Sequence, residues 1–252
     1  MKLSLALSGG GVRAFAHLGV VKVLLDHGFE IGAVSGSSGG ALIGALLCDG
    51  KSPEDVLSIM KDLRLRDLAG RPAKGGFFSL ERIESLMQES LESQTIERLR
   101  IPFTVACTDL RAGSIRYFER GPVGRLSIAS SSLVPIFSPV GYEDMLLADG
   151  GFMDNMPTKP LRKRGYPVIG INVNPIHLAD PSGVVDSTLR VLTLMMAANI
   201  KSSMLSADFY IEPEGCGDIN IFDLKKGFKA YEEGLKAAES SIGLLKRTLG
   251  LR

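Results

Sequence analysis

Ser38 is the residue whose place in the sequence best suits nucleophilic chemistry. It lies in Gly36-Ser37-Ser38-Gly39-Gly40, which matches the pattern G-x-S-x-G, with one apolar run before it and another after it. A serine on a tight turn between a strand and a helix is exposed at the positive end of that helix. Gly36 and Gly40 leave room for such a turn. An ordinary Gly/Ser loop is the alternative, and the flanking apolar runs favour the nucleophile.

A second glycine-rich turn, Gly9-Gly10-Gly11-Val12-Arg13, lies at the preceding junction between a strand and a helix. Residues without side chains leave backbone N–H groups free to converge on an anion. This predicts an oxyanion hole for an intermediate on Ser38, completed by the N–H of Gly39. A dinucleotide site is the alternative, but Ala14 occupies the last glycine position and Glu30 precedes the second strand instead of ending it. We therefore expect no cofactor.

The base that takes the proton from Ser38 has two candidates. Asp149 stands in Ala148-Asp149-Gly150-Gly151, and the two glycines let the backbone approach the serine closely. His177 follows a later apolar run and would complete the chain order Ser, Asp, His. A plain Asp-Gly turn is the other interpretation of Asp149. The residues alone leave a Ser–Asp dyad and a Ser–Asp–His triad open.

These three motifs, in this order and at this spacing, resemble the patatin-like phospholipase family. The likeness includes the run at 129–140 and extends along the chain. The resemblance implies a three-layer α/β/α fold and a Ser–Asp dyad that acts on acyl esters of phospholipids or lysophospholipids. By position, it makes Ser38 the nucleophile and Asp149 the base, and it assigns the oxyanion loop to Gly9, Gly10 and Gly11, with Arg13 closing that motif.

Two other functions would use the same residues. An acyltransferase would form the same acyl-serine intermediate and differ only in the acceptor. A catalytically silent regulatory protein on the same fold is the second alternative, but such a protein has no reason to keep Ser38, Asp149 and the glycine loop together. The predicted site is supported by four further glycines, Gly36, Gly40, Gly150 and Gly151. We expect a lipid or a small acyl ester as the substrate.

The same patterns predict the elements that position these residues. Strand, glycine turn and helix occur twice within the first fifty residues, which is typical of a parallel sheet covered on both faces. Further apolar runs predict strands at 102–108, 115–119, 167–173 and 208–212 and a helix at 189–205. No composition shift or proline-rich linker divides the chain. Together with the resemblance, this predicts a single α/β domain over residues 1–252, a three-layer sandwich with a mostly parallel sheet.

Two segments bear on contact with a lipid surface. Residues 64–78 combine four basic side chains with Phe77 and Phe78, as in an interfacial loop or lid; a surface loop with both rings in the core is the favoured alternative. The C-terminal helix spaces its apolar residues three and four apart, and its polar face mixes acidic and basic residues. We expect it to pack on the protein, with a membrane or dimer contact as the alternative.

Charge and cysteine content exclude several classes of protein. The 252 residues carry 29 Lys+Arg and 28 Asp+Glu, so we expect no nucleic-acid partner. Three widely spaced cysteines argue against a disulfide framework or a metal site and favour a cytoplasmic protein. The first apolar run ends at Ser8-Gly9, too short for a signal peptide, and no apolar run approaches ~20 residues, so no spanning helix is expected. Any contact with a membrane surface would be peripheral and transient.

Overall fold

The computed structural model describes residues 1–61 and 80–251, so the segment at 64–78, the candidate interfacial loop or lid, lies outside the described residues. The described residues form one mixed sheet with helices on both sides, which confirms the predicted α/β class. The strands are β1 (Lys2–Leu7), β2 (Glu30–Gly36), β3 (Phe103–Asp109), β4 (Ser114–Phe118), β5 (Val140–Tyr142), β6 (Met145–Asp149), β7 (Val168–Ile171) and β8 (Phe209–Ile211). The helices are α1 (Phe15–Asp26), α2 (Gly39–Cys48), α3 (Pro53–Lys61), α4 (Glu81–Ser90), α5 (Val123–Ser130), α6 (Gly183–Met204) and α7 (Gly227–Thr248).

The centre of the sheet is parallel. Strands β3, β2, β1, β7 and β8 pair in that order, all parallel to one another, and β4, β5 and β6 pair in antiparallel fashion. β1 is buried from its second residue to its last, because both faces are covered; Leu3, Leu5 and Leu7 alternate with the small residues Ser4 and Ala6. The carboxyl ends of β1 and β2 therefore bring the two glycine-rich turns to the same edge, as the sequence predicts.

The antiparallel strand β6 brings Asp149 to that edge. Cys107 of β3 pairs with Asp149 on one side and with β4 on the other, whereas Val105 pairs with Gly36 of β2 and with β4. A strand residue has one neighbour on each side, so β2 and β6 follow one another along the same side of β3. Asp149 thus lies beyond the carboxyl end of β2, where Ser38 follows.

The C-terminal helix α7 packs on α1, as expected. The two helices approach to backbone contact near Gly234, where an added Cβ would lie 2.0 Å from the carbonyl oxygen of Ala16. Part of the apolar side of α7 is buried, including Tyr231, Ala238 and Leu245, whereas Phe228 is exposed.

Helix α6 differs from the sequence expectation in where it begins. It begins at Gly183, six residues before the predicted start. The sequence pattern missed the first turns because they are rich in β-branched residues, which have low helix propensity. The helix is also long and apolar enough to cross a membrane, by length and composition alone. The expectation of no spanning helix rested on an uninterrupted apolar run, and Asp186 and Arg190 interrupt α6, so for the described residues it stays a prediction.

Candidate active site

Ser38 occupies a strained turn between β2 and α2. β2 ends at Gly36 and α2 begins at Gly39, and Ser38 has φ 52° and ψ −128°, a backbone conformation rarely adopted by residues with a side chain. Close packing makes the flanking glycines necessary. A Cβ on Gly36 would lie 2.5 Å from the carbonyl oxygen of Gly40, and one on Gly40 would lie 2.5 Å from that of Leu7. The turn leaves Ser38 partly exposed at the amino end of α2.

The Ser38 hydroxyl donates a hydrogen bond to Asp149, with 2.7 Å between Oγ and Oδ2. The other carboxylate oxygen, Oδ1, accepts the N–H of Gly151 at 2.8 Å. Asp149 is 1% exposed, and this burial raises its pKa to about 7, because desolvation outweighs the two hydrogen bonds that favour the ionised form. A carboxylate whose pKa lies near neutral pH is suited to general-base catalysis.

The glycine loop of residues 9–11 lies beside this pair. Among the described residues, the N–H groups of Gly10, Gly11 and Gly39 have no hydrogen-bond partner. The N–H of Gly9, in contrast, is already hydrogen-bonded: it donates to the backbone oxygen and to Oδ1 of Asn155, each at 3.1 Å. A Cβ on Gly39 would lie 2.9 Å from the oxygen of Gly11, so the two turns abut. Three N–H groups are thus available near Ser38 for an anion.

Ser130 fixes the backbone of the nucleophile, a role that the sequence analysis missed. Its hydroxyl accepts the N–H of Ser38 at 2.9 Å and donates to the carbonyl oxygen of Ala106 at 2.6 Å. Ser130 ends α5, and Ala106 lies in β3, so the turn at Ser38 is tied to the sheet. Ser130 lies within the run at 129–140 that carries the family resemblance, which is the one signal that pointed to it.

Two asparagines connect the glycine loop with the segment that follows Asp149. Besides accepting the N–H of Gly9, Asn155 donates its own backbone N–H to Oδ1 of Asn199 at 2.9 Å. Asn199 lies on α6 and donates from Nδ2 to the carbonyl oxygen of Gly151 at 2.8 Å. Both loops of the site are therefore held by neutral amides. Nothing in the spacing of these residues indicated the contacts.

Arg13 anchors the glycine loop from outside the cavity. Its Nε–H donates to the carbonyl oxygen of Ile219 at 2.7 Å, and Nη2 donates to that of Gly217 at 3.2 Å. The N–H of Val12 donates to the carbonyl oxygen of Ile221 at 2.9 Å. The guanidinium thus fixes the position of the loop through backbone carbonyls.

No histidine contacts Ser38 or Asp149, and all three lie in the described part of the chain. The Nδ1 atom of His177 lies 2.9 Å from Oδ1 of Asp218, at the surface. His17 is fully buried, its Nε2 lies 2.8 Å from the carbonyl oxygen of Ser8, and burial lowers its pKa to about 4. His27 lies 3.4 Å from Glu239. The structure brings together Ser38 and Asp149, and it places His177 in a separate hydrogen bond with Asp218.

Ser38 and Asp149 line an open cavity. Asp149 is the one ionisable residue among the described residues that line it. The wall is otherwise mostly aliphatic and aromatic, with contributions from Leu42, Ile43, Leu133, Phe137, Met196 and Phe222. Such a cavity fits an acyl chain whose ester group reaches the hydroxyl of Ser38.

The described residues contain no group of three or more His, Cys, Asp or Glu side chains that could hold a metal ion. The three cysteines are buried and form no disulfide. Burial raises the pKa of the Cys48 and Cys107 thiols well above the ordinary value, so both are weak nucleophiles.

A family model described as patatin-like phospholipase matches residues 5–162, more than half of the chain. The chain belongs to the patatin-like phospholipase family. An uncharacterised NTE family protein of Mycobacterium tuberculosis is 34% identical to it over 163 residues, which are 64% of this chain and 45% of the relative. Lysophospholipase NTE1 of Cryptococcus neoformans is 26% identical over 287 residues, 96% of this chain and 17% of the relative.

Among solved structures, this patatin-like chain is similar to VipD from Legionella pneumophila, with a TM-score of 0.61 and 12% identity. The match covers 95% of this chain and 66% of VipD, and at that identity it shows the fold alone. The chain spans less than half the length of the two relatives described above.

Proposed function

We propose that the protein is a serine hydrolase that cleaves acyl esters of phospholipids or lysophospholipids, with Ser38 as nucleophile and Asp149 as base. The observation that carries the proposal is the 2.7 Å hydrogen bond from Ser38 to a buried carboxylate at an apolar cavity. Membership of the patatin-like phospholipase family supports the substrate class, and so does the likeness to a lysophospholipase.

In the first step, Asp149 accepts the hydroxyl proton while Oγ of Ser38 bonds to the ester carbonyl carbon. The carbonyl oxygen becomes an oxyanion, which the free N–H groups of Gly10, Gly11 and Gly39 stabilise. The carbonyl then re-forms as the bond to the leaving alkoxide breaks. The proton on Asp149 passes to that alkoxide, which departs as an alcohol and leaves an acyl-serine.

In the second step, Asp149 takes a proton from water as the water oxygen attacks the acyl-serine carbonyl. The same N–H groups stabilise the second oxyanion. Its collapse breaks the bond to Oγ, the proton returns to Ser38, and the fatty acid leaves. One carboxylate thus serves both steps. Since its pKa lies far below that of a serine hydroxyl, positioning and the oxyanion hole must provide most of the barrier reduction.

We also propose that the enzyme works in a reducing compartment, the cytoplasm, where it meets lipid at a surface. The three buried cysteines without a disulfide support the compartment.

The test is covalent labelling with a fluorophosphonate, which reacts with activated serines. We expect the natural chain to be labelled and the Ser38→Ala and Asp149→Asn variants to lose labelling. Ser37→Ala is the matched control, because Ser37 lies in the same turn and its hydroxyl has no partner within the described residues. Labelling of the Ser38→Ala variant at the natural rate, or loss of labelling in the Ser37→Ala variant alone, would contradict the assignment.

Hydrolysis is then followed on a lysophospholipid, with and without an added alcohol acceptor. We expect free fatty acid in both reactions. Predominant transfer of the acyl group to the alcohol would instead identify an acyltransferase, which shares the acyl-serine intermediate.

A further inference from the structure

Helix α6 presents several large apolar side chains outward, while Ile200, Asn199 and Ser203 face inward. Within the described chain, Val184, Val185, Val191, Leu194 and Met195 are all exposed, Val184 by 83% and Val191 by 54%. Between residues 187 and 200, Arg190 is the one charged residue of the helix. The outer face of a helix at a protein surface is usually polar, so these exposed apolar side chains are unusual.

The inward side of α6 is held by hydrogen bonds. Asn199 donates to the carbonyl oxygen of Gly151, Ser203 donates to Oδ1 of Asp154 at 3.0 Å, and Arg190 donates to the carbonyl oxygen of His177 at 2.7 Å. These bonds fix the rotation of the helix, so its apolar face is directed outward by specific contacts.

The apolar face lies next to the site. Thr193 and Met196 of α6 line the cavity that holds Ser38. The loop after β7 adds Ile176 and Leu178, both exposed. Because β7 runs parallel to β1, this loop leaves the sheet at the edge where the glycine loop also lies. Helix α6 therefore carries part of the cavity wall on one face and the exposed apolar side chains on another.

We propose that α6 lies flat in a lipid surface and places the cavity against the membrane that supplies the substrate. The proposal rests on the proposed function, since a lipid substrate must leave a bilayer or micelle to reach Ser38. Lipid fits the face because the face carries few charges and borders an apolar cavity. A second copy seated there would cover α6 beside Thr193 and Met196 and obstruct the route to Ser38.

The inward hydrogen bonds of Asn199 and Ser203 distinguish a surface helix from a spanning one. A helix that crosses the bilayer would have to break these bonds and expose both polar groups to hydrocarbon, where each would lack a partner. A helix that lies in the interface keeps them and buries its outer face alone.

A single tryptophan tests this directly, because the chain contains none. The reporter is Val191→Trp, and the matched control is Leu244→Trp on α7, where the natural side chain is also 54% exposed. Both are made in a Ser38→Ala background and mixed with vesicles of phosphatidylcholine brominated on its acyl chains. We expect the Val191→Trp emission to move to shorter wavelength and to be quenched at least about twofold, since an interfacial helix lies about 5–10 Å below the surface. The control should not change.

A second pair of variants measures affinity. Val191→Gln with Met195→Gln should weaken binding to the vesicles at least about tenfold, because burial of the exposed parts of the two natural side chains is together worth about one decade or more. Leu25→Gln with Leu244→Gln removes two other exposed apolar side chains and should have little effect. With Ser38 intact, the first pair should retain fluorophosphonate labelling and turnover of a soluble short-chain ester.

The proposal is overturned if the Val191→Trp emission is unchanged by vesicles, if the two reporters respond equally, or if sedimentation shows a dimer that Val191→Gln with Met195→Gln dissociates. The last result would mean that a second copy covers α6. These outcomes are separate from the proposed function, because labelling of Ser38 needs no membrane and the reporter needs no catalysis.

Discussion

Replacing Asp149 by Asn should abolish catalysis and, above neutral pH, make the protein more stable. The pKa of this carboxyl is about 7 in the folded protein and 3.8 without the fold. Between these values the folded state holds a proton that the unfolded state has released, so the natural protein loses stability as pH rises from about 4 to 7. At 1.36 kcal/mol per pKa unit, the interval of about three units amounts to about 4 kcal/mol.

The Asp149→Asn variant keeps both hydrogen bonds of the side chain. Its oxygen can accept the N–H of Gly151, and its amide can donate to Oγ of Ser38, which has free lone pairs. The variant therefore loses the titration but little of the packing. Its free energy of unfolding should rise relative to that of the natural protein by about 2.7 kcal/mol between pH 5 and 8. This change comes from the two pH units between pH 5 and the pKa of about 7.

Urea unfolding at pH 5 and pH 8 measures this change, because the linear extrapolation gives the free energy of unfolding for each protein at each pH. All other groups titrate alike in both proteins, so the difference between them isolates Asp149. Asp180→Asn, at an exposed carboxyl, is the control, because a substitution at an exposed side chain usually changes stability by no more than about 0.5 kcal/mol. If the difference in the free energy of unfolding between the natural protein and Asp149→Asn changed by less than about 1 kcal/mol between the two pH values, the pKa of Asp149 would not lie near 7.

Three further predictions concern turnover of a soluble short-chain ester. First, kcat/KM should fall about tenfold per pH unit below pH 7, as Asp149 becomes protonated; a rate that is level down to pH 5 would exclude it as the base. Second, His177→Ala should keep kcat within about twofold, because the imidazole pairs with Asp218, and a tenfold loss would restore the triad. Third, Asn155→Ala should lower kcat about 10- to 100-fold with KM little changed, because the N–H of Gly9 loses its side-chain partner and the glycine loop shifts; an unchanged kcat would show that Asn155 does not position the loop.

The parts of the fold that could be predicted are those whose signals are local. The apolar runs before each glycine turn became β1 and β2, and the second turn leads directly into α2. Strands β5 and β6 and helix α5 were not predicted as elements. β6 is short and pairs with a strand some forty residues away, and α5 has only eight residues. Elements of this kind depend on tertiary contacts more than on their own sequence.

The same distinction applies within the site. The placement of Ser38 and Asp149 rests on glycines next to them in the chain, because steric clearance at a turn is a local requirement. The residues that hold the site, Ser130 and Asn155, act across 92 and 146 positions and are neutral polar residues of common types. No period or spacing marks such residues. The direction of the apolar face of α6 was equally hidden, because it depends on inward contacts such as that of Asn199.

The residues that hold the site in place, Ser130, Asn155 and Asn199, are all uncharged, and this has a chemical consequence for Asp149. An opposite charge within about 4–6 Å lowers a carboxyl pKa by about 1–3 units, so a cation beside Asp149 would leave it a weaker base. Asp149 is the one ionisable residue among the described residues that line the cavity, and the nearby loops are held by amides and a hydroxyl. Arg13, which follows the glycine loop, has its guanidinium bound to backbone carbonyls at 217 and 219. Burial alone can then keep the pKa near 7. A charged substitution at Asn155 would therefore change the strength of the base as well as the position of the loop, whereas alanine would change the position alone.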